Sequence, residues 1–141
     1  MRTKSLKDLV HFDPEDVRRE PLFETDHLFS QVLCFDGKQH VGPMQDPDSD
    51  ALFTVLAGEG RFSVGRRSKT LKQWGAVLVP AGSEVTVINL RNDPLVVLLV
   101  ASPPPGGQPA TKEDGAAGWT AADDRAVERE LAAGDGDPAT D

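Results

Sequence analysis

The residues that could bind a cation or move a proton are concentrated between positions 40 and 50. His40 precedes three aspartates, Asp46, Asp48 and Asp50, in this stretch. Carboxylate oxygens grouped in this way suit a hard cation such as Ca²⁺ or Mg²⁺. Aspartates that alternate with proline and serine are more typical of a turn-rich, solvated connection between strands. The pattern therefore predicts a loop, with a cation site at this point as the less favoured alternative.

Other chemically active side chains are isolated along the chain. Cys34 is the single cysteine, so one chain can form neither a disulfide nor a cysteine-based zinc site. We expect it to be a small buried hydrophobe. His11 and His27 come before the 40–50 region, and we expect them at the surface or at strand edges.

Length and charge exclude several classes of protein. The 141 residues suffice for one domain of ordinary size plus extensions. A net charge of −8 argues against nucleic acid as a partner, because phosphate binding requires clustered lysine and arginine. No apolar run approaches the length of a membrane span, and the N-terminus lacks the apolar segment of a signal peptide. We therefore expect a cytoplasmic protein that binds neither nucleic acid nor a membrane.

Short β-like runs separated by turn-forming residues extend from about residue 18 to residue 102. The runs predicted as strands are Arg18–Glu24, His27–Phe35, Ala51–Ala57, Gly60–Val64, Lys69–Leu71, Ala76–Val79, Glu84–Asn89 and Leu95–Ala101. Many short strands at regular spacing predict an antiparallel sandwich or barrel. The last run is apolar on both faces, as a strand enclosed between two layers would be.

Prolines mark the end of the strand-forming region. Three consecutive prolines at 103–105 supply no N–H groups to a sheet. We therefore predict an N-terminal extension over residues 1–17, a barrel over 18–105 and an acidic tail rich in Pro, Gly and Ala over 106–141. A variant N-terminal capping box at Thr120 predicts a short helix over 120–133 in that tail.

Two stretches resemble the sequence motifs of the cupin superfamily. The run GAVLVPAG at 75–82, with Asn89 seven residues further on, is similar to the second cupin motif. The run ALFTVLAGEGRFSVG at 51–65 is similar to the end of the first motif. The resemblance covers roughly residues 5–106 and is to small single-domain bacterial cupins. It implies an all-β fold, the antiparallel double-stranded β-helix or jelly-roll barrel.

The same resemblance implies that the metal-binding motifs are degenerate. Cupins that bind metal typically use two histidines and a glutamate from the first motif and a third histidine from the second. The second-motif histidine falls on Val85, and the glutamate falls on Ala51. The first two histidines fall on Pro43 and Gln45, or on Met44 and Asp46 if the loop is one residue longer. No position keeps its family ligand, so we expect no metal and no cofactor.

Strand alternation predicts an apolar inner face that carries one amide. Its members are Ala51, Phe53, Val55, Val85, Val87 and Asn89, with Gln45 as a further candidate from the loop. These side chains either fill the barrel as ordinary core or line an open pocket. In an open pocket, Gln45 or Asn89 would orient a small, mostly apolar ligand. The filled core is the favoured alternative, because Phe and Val near a barrel axis need no ligand to explain them.

The functional hypothesis is a metal-free cupin that acts as a non-catalytic small-molecule binding or regulatory module. The alternative is a cupin enzyme, either an isomerase or lyase, or an oxygenase with an unusual set of metal ligands. A general base would have to reach into the pocket, and the predicted inner face carries no titratable group. We assign no catalytic residue. We also expect a homodimer, partly from the resemblance and partly because Arg18–Glu24 would leave an open sheet edge.

Overall fold

A computed structural model describes residues 1–107, and the helix predicted over 120–133 lies outside that range together with nearly all of the acidic tail. The described part forms β1 (Arg18–Glu24), β2 (Phe29–Phe35), β3 (His40–Met44), β4 (Asp50–Ala57), β5 (Glu59–Val64), β6 (Arg67–Lys72), β7 (Ala76–Val79), β8 (Val85–Ile88) and β9 (Leu95–Ser102). Short 3₁₀ helices at Leu6–Leu9 and Pro105–Gly107 lie before and after the strands. In residues 1–107 no helix has the length and apolar character needed to cross a membrane.

The strands form two antiparallel sheets that enclose the core. One sheet has the strand order β1-β2-β9-β4-β7, and the other has the order β3-β8-β5-β6. β9 pairs with β2 on one side and with β4 on the other, so the last strand closes a sheet begun by the first ones. This arrangement confirms the predicted double-stranded β-helix.

The core consists of the side chains that the two sheets turn toward each other. Phe53 on β4 and Phe62 on β5 come from opposite sheets, and their rings meet edge to face with centroids 6.0 Å apart. Burial alternates along β4, where Ala51, Phe53 and Val55 are buried and the residues between them are more exposed. This period of two confirms the orientation predicted from the sequence.

The strand boundaries agree with those predicted, with one omission. β1 and β7 begin and end at the predicted residues, and the other predicted strands differ by one or two residues at one or both ends. The prediction of a loop after residue 39 was wrong, because His40–Met44 forms β3. Gly42 and Pro43 are turn-forming residues, but β3 is the edge strand of its sheet and pairs only with β8. Proline is tolerated on an edge strand because its missing N–H has no partner to lose there.

The N-terminal extension packs on the outer face of the five-stranded sheet. Leu6, Leu9 and Val10 contact a buried cluster formed by Val32, Cys34 and Val96. Cys34 is fully buried, which confirms the prediction for this residue. Its thiol donates a weak hydrogen bond to the Leu9 carbonyl oxygen at 3.9 Å. Burial raises the pKa of the Cys34 thiol, so the group remains protonated and inert.

The packing of the extension predicts a measurable contribution to stability. Leu9→Ala should lower the free energy of unfolding by about 2 kcal/mol, near the lower end for this substitution because Leu9 is only partly buried. Lys7→Ala, at an exposed site in the same 3₁₀ helix, should change it by less than about 0.5 kcal/mol. Urea unfolding of both variants measures the difference. Equal changes in the free energy of unfolding would show that packing of the N-terminal extension does not stabilise the sheet.

Candidate functional site

The positions aligned with a metal-binding glutamate and histidine lie inside the barrel. Ala51 and Val85 are both buried and belong to the same core cluster. Met44 pairs with Val85 between β3 and β8 and belongs to that cluster too. Alkyl groups and a thioether therefore occupy the space into which ligand nitrogen and oxygen atoms would project.

Asp46 is buried, and its carboxylate accepts hydrogen bonds from main-chain N–H groups. Only 2 % of the residue is exposed. One oxygen, Oδ1, accepts the N–H groups of Asp48 at 2.9 Å and of Ser49 at 3.0 Å. The other, Oδ2, accepts the N–H of Gly106 at 2.6 Å. Asp46 therefore holds its own loop together and fastens the segment that follows β9.

Gln45 in this loop and Asp50 at the start of β4 bind the turn between β7 and β8. The Ala81 N–H donates to Asp50 Oδ1 at 2.8 Å, and the exposed Gln45 donates from Nε2 to the Gly82 carbonyl at 2.7 Å. Gln45 therefore lies at the surface with its amide nitrogen engaged. The described residues contain no group of three or more His, Cys, Asp and Glu side chains that could hold a metal ion.

The histidines are spread over different parts of the molecule. His40 lies on β3, where it pairs with Ile88, instead of in the loop with the aspartates. This placement corrects its predicted position. His11 and His27 are exposed, as expected from the sequence.

Asn89 is buried directly after β8 and connects two parts of the chain. Its Nδ2 donates to the carbonyl oxygens of Asp36 at 3.1 Å and Asp93 at 2.8 Å, and more weakly to that of Phe35 at 3.5 Å. Its Oδ1 accepts the Arg91 N–H at 3.1 Å. These contacts join the end of β2 to the loop between β8 and β9. They favour a structural role for this amide over the predicted orientation of a ligand.

The five aliphatic and aromatic members of the predicted inner face come together in the core. Ala51, Phe53, Val55, Val85 and Val87 are each at most 1 % exposed and share one cluster. The strand alternation therefore identified the interior correctly. Gln45 and Asn89 lie outside this apolar set, the first at the surface and the second in the main-chain contacts described above.

Solved structures share this arrangement over most of the chain. The TT1209 protein of Thermus thermophilus is 27 % identical, with a TM-score of 0.71 over 73 % of this chain and 98 % of that chain. A conserved Klebsiella pneumoniae protein with a double-stranded β-helix domain is 20 % identical, with a TM-score of 0.70 over 78 % of this chain and 96 % of that chain. The cupin domain of Schizosaccharomyces pombe Cnp3 is 16 % identical, with a TM-score of 0.64 over 71 % of this chain and 72 % of that chain. The chain has the cupin fold. No family model matches the sequence, and no curated protein matches it.

The cupin motif positions do not fit a transition metal. A site of this kind requires several nitrogen or oxygen donors that converge on one point. Val85 and Ala51 supply no lone pair, and both oxygens of Asp46 already accept main-chain N–H groups. Met44 supplies one thioether, which is a soft and weak ligand.

Sequence reasoning missed two polar side chains on the inner face of the barrel, those of Gln31 and Glu24. Gln31 lies on β2 in the same row as Leu99 and Phe53, which places it on the inner face, and it is only 3 % exposed. Its Oε1 has no hydrogen-bond partner, and the buried Oε2 of Glu24 has none either. Glu24 pairs with Phe29, so it shares the inner face. The available signal was a lone amide at an inward position of the apolar run FSQVLCF.

Arg19 lies near the other end of the ladder between β1 and β2. It pairs with Leu33, which places it on the inner face of β1. Desolvation lowers the pKa of its guanidinium, and the charge of Asp16 opposes this effect. The inner face of β1 therefore carries a carboxylate near one end and a guanidinium near the other.

The contacts of Asn89 predict a large structural effect for its loss. Asn89→Ala removes a buried amide that bonds the main chain of Asp36, Arg91 and Asp93, and should lower the free energy of unfolding by about 2–4 kcal/mol. Asn92→Ala, at an exposed site in the following loop, should change it by less than about 0.5 kcal/mol. Chemical unfolding of the two variants provides the comparison. Similar stabilities would rule out the structural role and return Asn89 to the ligand-orienting candidates.

Proposed function

We propose that this cupin-fold protein is a non-catalytic module that binds a small, mostly apolar molecule inside its barrel. The observation that carries the proposal is the composition of the inner face at the motif positions. Alkyl side chains stand there, and the unpartnered oxygen of Gln31 lies on the same inner face. An apolar interior with a small number of polar groups is typical of sites that recognise small molecules.

Acid–base catalysis is disfavoured by the same set of side chains. A general acid or base must lie within hydrogen-bonding reach of the substrate and change its protonation state. The motif-derived inner positions, Ala51, Phe53, Val55, Val85 and Val87, have no ionisable group. Glu24 and Arg19 also face inward, but they lie apart from these positions, on the edge strand β1. The nearest motif carboxylate, Asp46, is occupied by main-chain donors. The proposed role therefore depends on binding and on the change in stability or shape that binding produces.

The proposal predicts that the protein binds its small-molecule ligand without a transition metal. Purified protein should contain well under one equivalent of iron, manganese, nickel, zinc or copper by elemental analysis. Its melting temperature should not respond to a chelator or to added metal, because a cation bound only to the native state would raise it. The reason is the donor set, since Val85 and Ala51 stand where a histidine and a glutamate would be required.

Stoichiometric metal would contradict the proposal and favour an enzyme with an unusual ligand set. Asp46→Asn distinguishes a site from contamination, because Asp46 is the one motif position with a carboxylate. Metal lost in this variant would assign the site to the barrel mouth. Metal retained at the same ratio would point to another location.

The proposal includes a homodimer. β1 is the edge strand of the five-stranded sheet, as the sequence predicted. On the outer face of the same sheet, Leu52 and Leu78 pair with each other and are 42 % and 61 % exposed. Val100 pairs with Leu52 and extends this patch. An uncharged apolar patch suits contact with an identical copy, because no like charges meet across the two-fold axis.

The dimer proposal predicts that a charge on the patch produces monomers. Leu78→Lys should convert a dimer at micromolar concentration into a monomer in light scattering, because a lysine would be buried without a partner. Ser68→Lys is the control, since Ser68 is an exposed residue of β6 in the other sheet, away from the patch. A monomeric unmodified protein would exclude the dimer. Dimers in both variants would place the interface elsewhere.

A further inference from the structure

A basic surface lies on the edge strand β6 and on the turn that precedes it. Between Gly60 and Ser83 the sequence has no acidic residue, and its cationic residues are Arg61, Arg66, Arg67, Lys69 and Lys72. Arg66, Arg67 and Lys69 are exposed, and no carboxylate within residues 1–107 forms an ion pair with them. Like charges held this close repel one another, so an added negative charge would stabilise this surface.

The same side of the barrel carries apolar side chains that are only partly covered. Val64, Leu71 and Val77 pack against the core cluster but keep part of their surface in solvent. Arg67 pairs with Val64, so this cation extends the same row of side chains. β6 and β7 are edge strands of the two sheets, and no further strand of the described part covers them. The surface therefore suits a partner that is both acidic and apolar.

A segment with this chemistry is present in the same chain. Residues 119–137, which follow the described part, carry six acids and two arginines, a net charge of −4. The acids are Asp123, Asp124, Glu128, Glu130, Asp135 and Asp137. Trp119, Val127 and Leu131 add apolar side chains to the same segment. Opposite charges and apolar groups on the two partners provide the complementarity that a specific contact requires.

The described chain ends at the same end of the barrel as the turn before β6. The Gly106 N–H donates to Asp46 Oδ2 at 2.6 Å, and the Asp46 carbonyl accepts the N–H of Gly82 at 2.8 Å. Two residues after Gly82, the Glu84 carbonyl accepts the N–H of Gly65 at 2.9 Å. The twelve residues from 108 to 119 span up to about 40 Å when extended. That length allows residues 119–137 to reach any part of β6.

We infer that the acidic segment 119–137 docks on the basic surface of β6 in its own chain and covers the side of the barrel between β6 and β7. A tethered segment binds at an effective concentration in the millimolar range, so individually weak charge contacts suffice. The docked segment also prevents β6 from pairing with a strand of another molecule, which an exposed edge strand otherwise invites. This contact is independent of ligand binding inside the barrel.

The test measures proximity between the segment and β6 in the full-length protein. Ala133→Cys provides one site for a thiol-reactive spin label, because Cys34 is fully buried. The label broadens the amide NMR signals of residues that lie near it. We expect the signals of Arg67–Lys72 to lose at least about half of their intensity, and those of β1, at the far edge of the other sheet, to keep theirs. At about 1 M salt the β6 signals should recover, since the screening length falls to about 3 Å.

A triple substitution assigns the contact to the basic surface. Arg66→Gln combined with Arg67→Gln and Lys69→Gln removes three positive charges at exposed sites, so the fold should be retained. It should restore most of the intensity that the spin label removes from β6, because the acids of the segment lose their partners.

The matched control removes the same charge elsewhere. Arg2→Gln combined with Lys4→Gln and Lys7→Gln also eliminates three positive charges at exposed sites, in the N-terminal segment. It should leave the broadening of β6 unchanged. Equal recovery in both triple variants would show that net charge alone, and no docking on β6, holds the segment near the barrel, and would overturn the inference.

The remaining outcomes are also decisive. An absence of broadening, or broadening that survives both high salt and the β6 substitutions, would overturn the inference. Broadening centred on Leu52 and Leu78 would place the segment on the outer apolar patch instead. A mixture of spin-labelled protein with isotope-labelled protein that lacks the spin label identifies the source of the segment. Broadening of β6 in that mixture would assign it to a second copy and contradict docking within one chain.

Discussion

The fold depends on the need to cover β9 on both faces. This strand reads LVVLLVAS and has apolar side chains pointing in both directions. β2 and β4 flank it in the sheet, the core covers its inner face, and the N-terminal extension covers Val96 and Leu98 on its outer face. At about 25 cal/mol for each Å² of apolar surface, leaving either face in water would remove much of the stability of a domain of this size. Because β9 lies between β2 and β4, the five-stranded sheet cannot form completely until β9, the last strand of the domain, is in place.

The stretches of this chain that resemble the cupin motifs keep residues that determine the path of the main chain, but they lack side chains that could bind a metal. Gly58 lies in the stretch that resembles the first motif and has φ of 82°, and an added Cβ atom would come within 2.2 Å of the Pro94 carbonyl oxygen. Asn89, at the end of the second motif, satisfies main-chain groups from two segments, the end of β2 and the loop between β8 and β9. Gly58 and Asn89 therefore both stabilise the path of the main chain. The ligand positions carry Val85 and Ala51, which serve only the packing of the interior.

A barrel without metal ligands can still recognise a molecule, and polar atoms left without partners are the physical basis for doing so. An apolar interior binds many hydrophobic groups with little selectivity, because dispersion and desolvation are not directional. A buried carbonyl and a buried carboxylate add direction and sign, since only a donor of suitable charge satisfies them. Gln31 and Glu24 therefore distinguish this interior from a uniformly packed core. The same two atoms make the folded protein less stable than an interior with every polar group paired.

The sequence by itself determined the number, order and facing of most strands, because a period of two in apolar residues and well-placed turn residues are local properties. It also located Ala51, Phe53, Val55, Val85 and Val87 in the interior for that reason. β3 was not recognised, since Gly42 and Pro43 favour a turn locally and only the edge position in the four-stranded sheet tolerates them in a strand. The buried role of Asp46 depends on the approach of Gly106, and the Gln31–Glu24 pair depends on the register between β1 and β2. These features were decided by the tertiary structure, because they arise where segments distant in sequence meet or where a bulge sets which side chains share a face.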